Sequence, residues 1–332
     1  MQYALIAAIL FVALLVYFKI ADRYNIIDKP NHRSAHSEIT LRGGGVIYPI
    51  AFILLAVTMF ADPAGFLGRF THIDFLLFGA GLLLISVLSF VDDLVDLPSR
   101  VRVIFQFLAV SLLLYSVDVF SLLPVWAVVL VYILAIGILN AYNFMDGING
   151  MSGLYSFVLL GTLWYVNAYL IPFTDPDFIV YPLLASFVFL FFNFRKKARC
   201  FMGDVGSMSV AFWILALLSM LIIESGSYKW FLLLGVYGVE TILTLVERIW
   251  RRENIFEAHR RHLYQLFVNE KAQDHRLISF VYAALQVVMN AVVISFNGAD
   301  SLIFMIVLSP VILVYLLSKT LILKKTGAKV MQ

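Results

Sequence analysis

The stretch IDFLLFGAGLLLISVLSFVDDLVD, Ile73 to Asp96, sets the fold. No charged side chain occurs from Phe75 to Val91, and the run then meets Asp92, Asp93 and Asp96. A helix needs roughly 17–25 apolar residues to cross a bilayer, and this run has that length. Similar runs recur near 3–20, 45–61, 102–117, 124–140, 153–171, 178–194, 207–223, 229–247, 277–296 and 302–321, so with 73–91 eleven spans are expected, give or take one. Composition agrees: of 332 residues 62% are hydrophobic and 14% charged, with mean hydropathy +0.93, whereas soluble domains are roughly 45–50% apolar. A soluble fold is excluded. Backbone polar groups find no water in hydrocarbon, and these runs are too long and too evenly apolar for the alternating strands of a barrel. The chain is therefore read as an all-α integral membrane protein.

Charge sets the expected orientation. Of the 24 Lys and Arg residues, 21 fall in 22–42, 92–102, 195–204, 247–276 and the tail from 319. Lys19 closes the first span on the same side, leaving Arg69 and Lys229 opposite. The positive-inside rule makes the rich side cytoplasmic, with the N-terminus outside and the C-terminus inside. The first span has its basic residues after it, the reverse of a cleavable signal peptide, and is expected to remain in the mature protein. The single cysteine, Cys200, has no partner for an internal disulfide and reads as an incidental small apolar residue. There is no internal repeat and no low-complexity linker, so one polytopic domain, 1–332, is expected, with its active site at the cytoplasmic face.

The polar islands all fall on that face. Asp92, Asp93 and Asp96 would share neighbouring faces if their helix ran on for another turn, and adjacent carboxylates tolerate ionisation best beside a divalent cation or cationic partner. Asn140, Asn143 and Asp146 recur every three residues as a stripe that Gly147 and Gly150 interrupt. Amide, amide and carboxylate suit a hard cation, or a base or sugar; interhelical hydrogen bonding is the plainer alternative. Asp204, between Gly203 and Gly206, is placed as a helix cap or as the carboxylate that holds the metal of a phosphate ligand. His259, Arg260, Arg261 and His262 occupy the longest cytoplasmic loop, where cationic groups for phosphate fit better than a zinc site. A first loop from Asp22 ends in Gly43, Gly44 and Gly45.

With these residues in view, the chain resembles the polyprenyl-phosphate N-acetylhexosamine-1-phosphate transferases of bacterial glycosyltransferase family 4. The matching features are the Asp92-Asp93 pair with Asp96, NxxNxxDGxxG from Asn140 to Gly150, FMGDVGS from Phe201 to Ser207, the His259 to His262 loop, and PNxRSxH with RGGG between Pro30 and Gly45. The resemblance implies transfer of a sugar 1-phosphate from a UDP-sugar to undecaprenyl phosphate, with release of UMP and a need for Mg2+. It implies an enzyme of the bacterial inner membrane that initiates an envelope glycan such as O-antigen. Asp204 would be the metal ligand and Asn143 a second. Asp92 and Asp93 would be catalytic, Asp92 as base or orienting group for the lipid phosphate, with covalent attack by an aspartate as the alternative. Asn140, Asp146, Asn149 and Phe201 would hold the nucleotide, Phe201 by stacking, and His259, Arg261 and His262 would meet the diphosphate. The expected partners are UDP-N-acetylhexosamine, polyprenyl phosphate and membrane lipids, with a homodimer as a further candidate and no nucleic acid.

Two departures matter. Asn149 stands where many relatives carry a second aspartate of DGxDG, and His259 and His262 flank two arginines instead of forming a contiguous histidine run. The first removes a carboxylate role at that place, though an amide can still hydrogen-bond uracil; the second favours a simple UDP-N-acetylhexosamine over a phospho-muramyl-pentapeptide donor. A secondary transporter is the rival class, but its charges should lie at the bilayer midplane and in repeated halves.

Overall fold

The computed structural model of the chain describes residues 2–29, 38–61, 71–254 and 260–326. His259 and the stretch from Pro30 to His36 lie outside them. The long helices are α1 (Gln2–Arg23), α2 (Ile47–Ala61, entered by a 3-10 turn at Gly44–Val46), α3 (His72–Val95), α4 (Ser99–Ser116), α6 (Val125–Met145), α7 (Met151–Tyr169), α8 (Pro176–Asn193), α9 (Gly203–Ser225), α10 (Gly235–Trp250, entered by a 3-10 segment at Tyr228–Leu234), α12 (His275–Ser295) and α13 (Asp300–Thr326). Each coincides with one of the eleven expected spans. Among the described residues two short helices, α5 (Val119–Leu122) and α11 (Leu263–Asn269), fill connections, and one antiparallel pair, β1 (Ile27–Asp28) with β2 (Thr40–Leu41), flanks the first loop.

Ten of these segments are long and apolar enough to cross a membrane. The eleventh, α7, is not among them, because its serines, glycines and Asn167 dilute its hydropathy. It packs against α8 and α12, and polar side chains link it to α12. Tyr155 donates to Gln286 Oε1 at 2.6 Å, and Asn290 Nδ2 donates to Thr162 at 2.9 Å. Such pairs hold helices together where lipid offers no alternative partner.

Helix α9 is the axis of the bundle. It is apolar on every side and buried nearly all round, against α2, α3, α6, α7 and α8. Small residues near its start let neighbours approach: Ser209 and Ser86 of α3 share a hydrogen bond at 2.7 Å. By contrast α6 and α13 turn Trp126, Ile133, Met305 and Leu313 outward. In a membrane these faces meet acyl chains.

The polar islands converge at one end of the bundle. Leu41 bridges to Cys200, Asn149 reaches Arg195 and His275, and Tyr264 reaches Phe144. At the other end Tyr3 donates to Asp177 and Ser227 to Asp300. The start of α1 therefore lies opposite the islands, while Lys319 near the end of α13 pairs with Glu247 on their side.

Candidate active site

The site is built on the first turn of α9. A helix N-terminus leaves backbone N–H groups without intrahelical partners and carries a partial positive charge. Asp93, from the last turns of α3, answers both with its negative charge and its acceptor oxygens: Oδ1 accepts from Asp204 N at 2.9 Å and Oδ2 from Val205 N at 3.1 Å. Arg42 completes the junction, with Nε 2.7 Å from Asp93 Oδ1 and Nη2 3.5 Å from Asp204 Oδ1. The Asp93 side chain is 0% exposed, whereas that of Asp204 keeps 20% of its surface open. Burial works against the Arg42 charge, but Asp93 and Asp204 outweigh it and raise its pKa.

Glycines make this approach feasible. Gly203 has φ of 73°, a left-handed conformation, and a Cβ there would stand 2.6 Å from Asp93 Oδ2. Residues 41–45 run beside 200–202, with Gly44 N donating to Phe201 O at 2.8 Å and Gly45 N to Met202 O at 2.9 Å. A Cβ on Gly45 would fall 2.1 Å from Gly206 Cα, so the two backbones are in direct contact. Arg42 follows β2 directly and is delivered by this pairing.

Asp92 makes no contact with the α9 backbone, though its charge is felt at Asp204. It is buried, accepts from Leu97 N at 2.6 Å, and pairs with Arg102 at 3.2 Å. The three aspartates do not share a face: α3 stops at Val95 and Asp96 adopts a left-handed conformation, φ 50°, that turns it to solvent. The amide stripe also divides. Asn140 exchanges hydrogen bonds with Gln106 of α4, at 3.0 Å from its Nδ2 and 3.4 Å to its Oδ1. Asn143 stands beside Asp204 and donates to Ser207 at 3.3 Å. Asp146, just past the end of α6, keeps some solvent contact; the protein around it nevertheless pushes its carboxyl up to about 7 by burial, with Asp204 and Asp93 adding to the rise.

Phe201 and Asn149 line a pocket of about 330 Å³ that also includes Lys196, Lys197 and His275. Asn149 Nδ2 donates to Arg195 O at 2.9 Å, and its backbone N–H to His275 Nδ1 at 3.4 Å. Its Oδ1 is buried and has no hydrogen-bond partner among the described residues. An aromatic face, an amide acceptor and two lysines are groups that suit a nucleotide.

His262 is 3% exposed and faces Glu240 Oε1 across 3.6 Å. Glu240 also accepts from the N–H of Leu263 and, at 2.7 Å, from Tyr282. Next to it Tyr264 stacks on His262 and donates to Phe144 O at 2.9 Å, which ties α11 to the end of α6. Arg261 pairs with Glu253 at 2.6 Å and with Glu247 at 3.7 Å. The structure thus brings together Asp93, Asp204, Asn143 and, within electrostatic range, Asp146; Asn149 and Phe201 share a neighbouring pocket; Arg261 is held by carboxylates of the α10 end. Arg102, Gln106 and Glu240 are site residues that sequence reading did not single out, and Arg42 entered it only as part of the RGGG motif, without a role. Arg42 had one signal, its place before three glycines.

Among the described residues no three His, Cys, Asp or Glu gather as a metal-binding group. Mg2+ does not require one: it is commonly held by one or two carboxylates, with waters and substrate phosphates completing the shell. Partly open Asp204 with adjacent Asn143 fits that donor set.

Residues 75–223, from α3 to α9, match glycosyl transferase family 4. The chain is 27% identical over 285 residues to a probable undecaprenyl-phosphate N-acetylglucosaminyl 1-phosphate transferase of Bacillus subtilis, covering 79% of this chain and 72% of the relative. It is 24% identical over 337 residues to a decaprenyl-phosphate N-acetylglucosaminephosphotransferase of Mycobacterium leprae, covering 88% and 82%. A phospho-N-acetylmuramoyl-pentapeptide-transferase of Petrotoga mobilis is 25% identical over 194 residues, covering 50% of this chain and 56% of that protein.

Proposed function

We propose that this chain, whose residues 75–223 match glycosyl transferase family 4, transfers N-acetylhexosamine 1-phosphate from a UDP-sugar to undecaprenyl phosphate. The observation that carries the reading is the junction of Asp93, Arg42 and Asp204 at the first turn of α9, at one end of a multi-pass bundle. One substrate is soluble and the other sits in the bilayer, so their reaction belongs where a polar site opens beside lipid. In this reading that end, to which the basic residues skew, is the cytoplasmic one of the bacterial inner membrane, as the positive-inside rule favours, and the product would start an envelope glycan such as O-antigen.

In this reading an oxygen of the lipid phosphate attacks the phosphorus bonded to the sugar. A new P–O–P link forms, the bond from that phosphorus to the bridging oxygen breaks, and UMP leaves with the electron pair. Asp204 and Asn143 would hold Mg2+, which supplies charge stabilisation to the diphosphate when bound. Asp93 keeps Arg42 and the α9 N-terminus in register, acting as a positioning residue. Asp92, held by Arg102, orients the acceptor phosphate or takes its proton. Phe201 and Asn149 receive the uracil, with Asn149 Oδ1 as the acceptor awaiting a donor.

The carboxylates lie at helix ends, not halfway along, which disfavours a transporter. The test is purified protein with undecaprenyl phosphate, Mg2+ and a panel of UDP-sugars, including UDP-GlcNAc and UDP-MurNAc-pentapeptide. Lipid-extractable sugar phosphate with stoichiometric UMP from UDP-GlcNAc is expected. Turnover of the pentapeptide donor alone would reassign the substrate, and no turnover of any UDP-sugar would sink the reading.

A further inference from the structure

A second cavity, of about 690 Å³, lies beside the C-terminal half of α1, and neither Asp93 nor Asp204 lines it. One wall is Leu15 and Val16, both exposed on the surface of α1 and so turned toward lipid. Phe18 closes the inner side, and the Arg199 guanidinium lies over its ring at 5.5 Å from the centroid, which holds the cation at the wall of the groove. Lys19 and Asp22 stand at the polar end. Lys19, Arg199 and Asp22 leave one net positive charge at the mouth of an apolar groove that opens on the bilayer.

We infer that this groove binds an anionic phospholipid of the surrounding leaflet, its phosphate diester on Lys19 and Arg199 and an acyl chain along Leu15 and Val16. The charge argument selects the class. A headgroup of one negative charge neutralises the site, whereas a zwitterionic headgroup leaves the positive charge uncompensated. Basic pockets at the polar ends of membrane helices are suited to such headgroups, and the volume lies in the usual range of ligand pockets, roughly 300–1,000 Å³. Simple anchoring lysines and arginines lie along a surface; here the two cations are arranged around a cavity. None of Asp92, Asp93, Asn143 or Asp204 lines it. The groove does share Ile39, Thr40 and Ala198 with the Phe201 pocket. A bound lipid therefore braces the strand that leads to Arg42.

Native mass spectrometry tests this on the full chain, after exposure to equal amounts of phosphatidylglycerol and phosphatidylcholine of different mass. Wild type is expected to retain one phosphatidylglycerol in preference to phosphatidylcholine. The double variant Lys19→Gln/Arg199→Gln should lose that retention by about tenfold or more. Lys271→Gln, a basic residue at the same end but outside the groove, should retain it fully. Val16→Phe fills the apolar wall at a lipid-facing position that tolerates bulk, and should weaken retention without a change of charge. Equal retention of both lipids overturns the inference, as does undiminished retention in the double variant. Undecaprenyl phosphate is added as a competitor: retention in its presence supports the assignment, and displacement would make the groove the acceptor's and overturn it.

Discussion

Asp93 Oδ1 lies 2.9 Å from the backbone nitrogen of Asp204, a residue 111 positions later. The two carboxylates are neighbours with different employment. That of Asp93 is spent on two backbone N–H groups and Arg42, while that of Asp204 remains partly open. Asp93→Asn and Asp204→Asn should therefore separate stability from activity. Asp93→Asn is expected to cost about 2 kcal/mol, because Arg42 loses the nearer of its two charge partners and one backbone donor its acceptor. Asp204→Asn should unfold near the wild-type temperature in detergent yet lose roughly 100-fold or more in transfer. An Asp204→Asn protein that is unstable, or an active one, contradicts this division.

The contact of Gly45 with Gly206 leaves no room for a methyl group, since a Cβ on Gly45 would meet Gly206 Cα at 2.1 Å. Gly45→Ala should cost about 1–3 kcal/mol of stability by forcing the backbones apart. Gly161, whose Cβ would meet nothing within 4 Å, is the control: Gly161→Ala should leave the unfolding midpoint unchanged or raise it.

Burial raises the Asp146 carboxyl from its ordinary 3.8 to about 7. Between those values the folded chain keeps a proton that the unfolded chain has released, so this group makes stability fall as pH rises through the window. Without divalent cations the thermal midpoint should drop between about pH 4 and about pH 7, and Asp146→Asn should lessen that dependence. An unchanged slope in the variant would show that other groups cause it.

Glu240, 2% exposed, holds the start of α11 through Leu263 and reaches α12 through Tyr282. Glu240→Leu strands both donors, at about 1–3 kcal/mol each. Hydrogen exchange should accelerate first across residues 262–269. Uniform acceleration over the whole bundle would mean that Glu240 serves global stability instead.

With Cys200 replaced, cysteines placed at Asp96 and Lys271 should react with an impermeant reagent from one side of the membrane, and one at Asp175 from the other. Labelling of all three from one side would overturn the arrangement of spans.

Eleven helices were readable because length and hydropathy are local properties, and the islands because charge at the ends of such runs is conspicuous. The partners of those charges were not readable. Arg42 meets Asp93 and Asp204 only after the chain has crossed and returned, and Gln106 meets Asn140 from another helix. Spacing suggested that Asp96 joins Asp92 on one face; the left-handed turn at Asp96 ends the helix first. Charge alone likewise suited Arg261 to a diphosphate, while its ion pairs with Glu247 and Glu253 depend on how the long loop folds back on α10.

The junction at α9 also constrains the order of assembly. During synthesis from the N-terminus, Asp93 enters the membrane region well before residues 204 and 205 exist. For that interval neither of its backbone donors is available, and a lone buried carboxylate is costly beside hydrocarbon. Arg42 has already been made and sits on the same side of the bundle. The Arg42–Asp93 pair is thus the partner Asp93 has while the nascent chain waits for α9, and loss of Arg42 should show as poor yield and degradation of newly made protein before any effect on turnover can be measured.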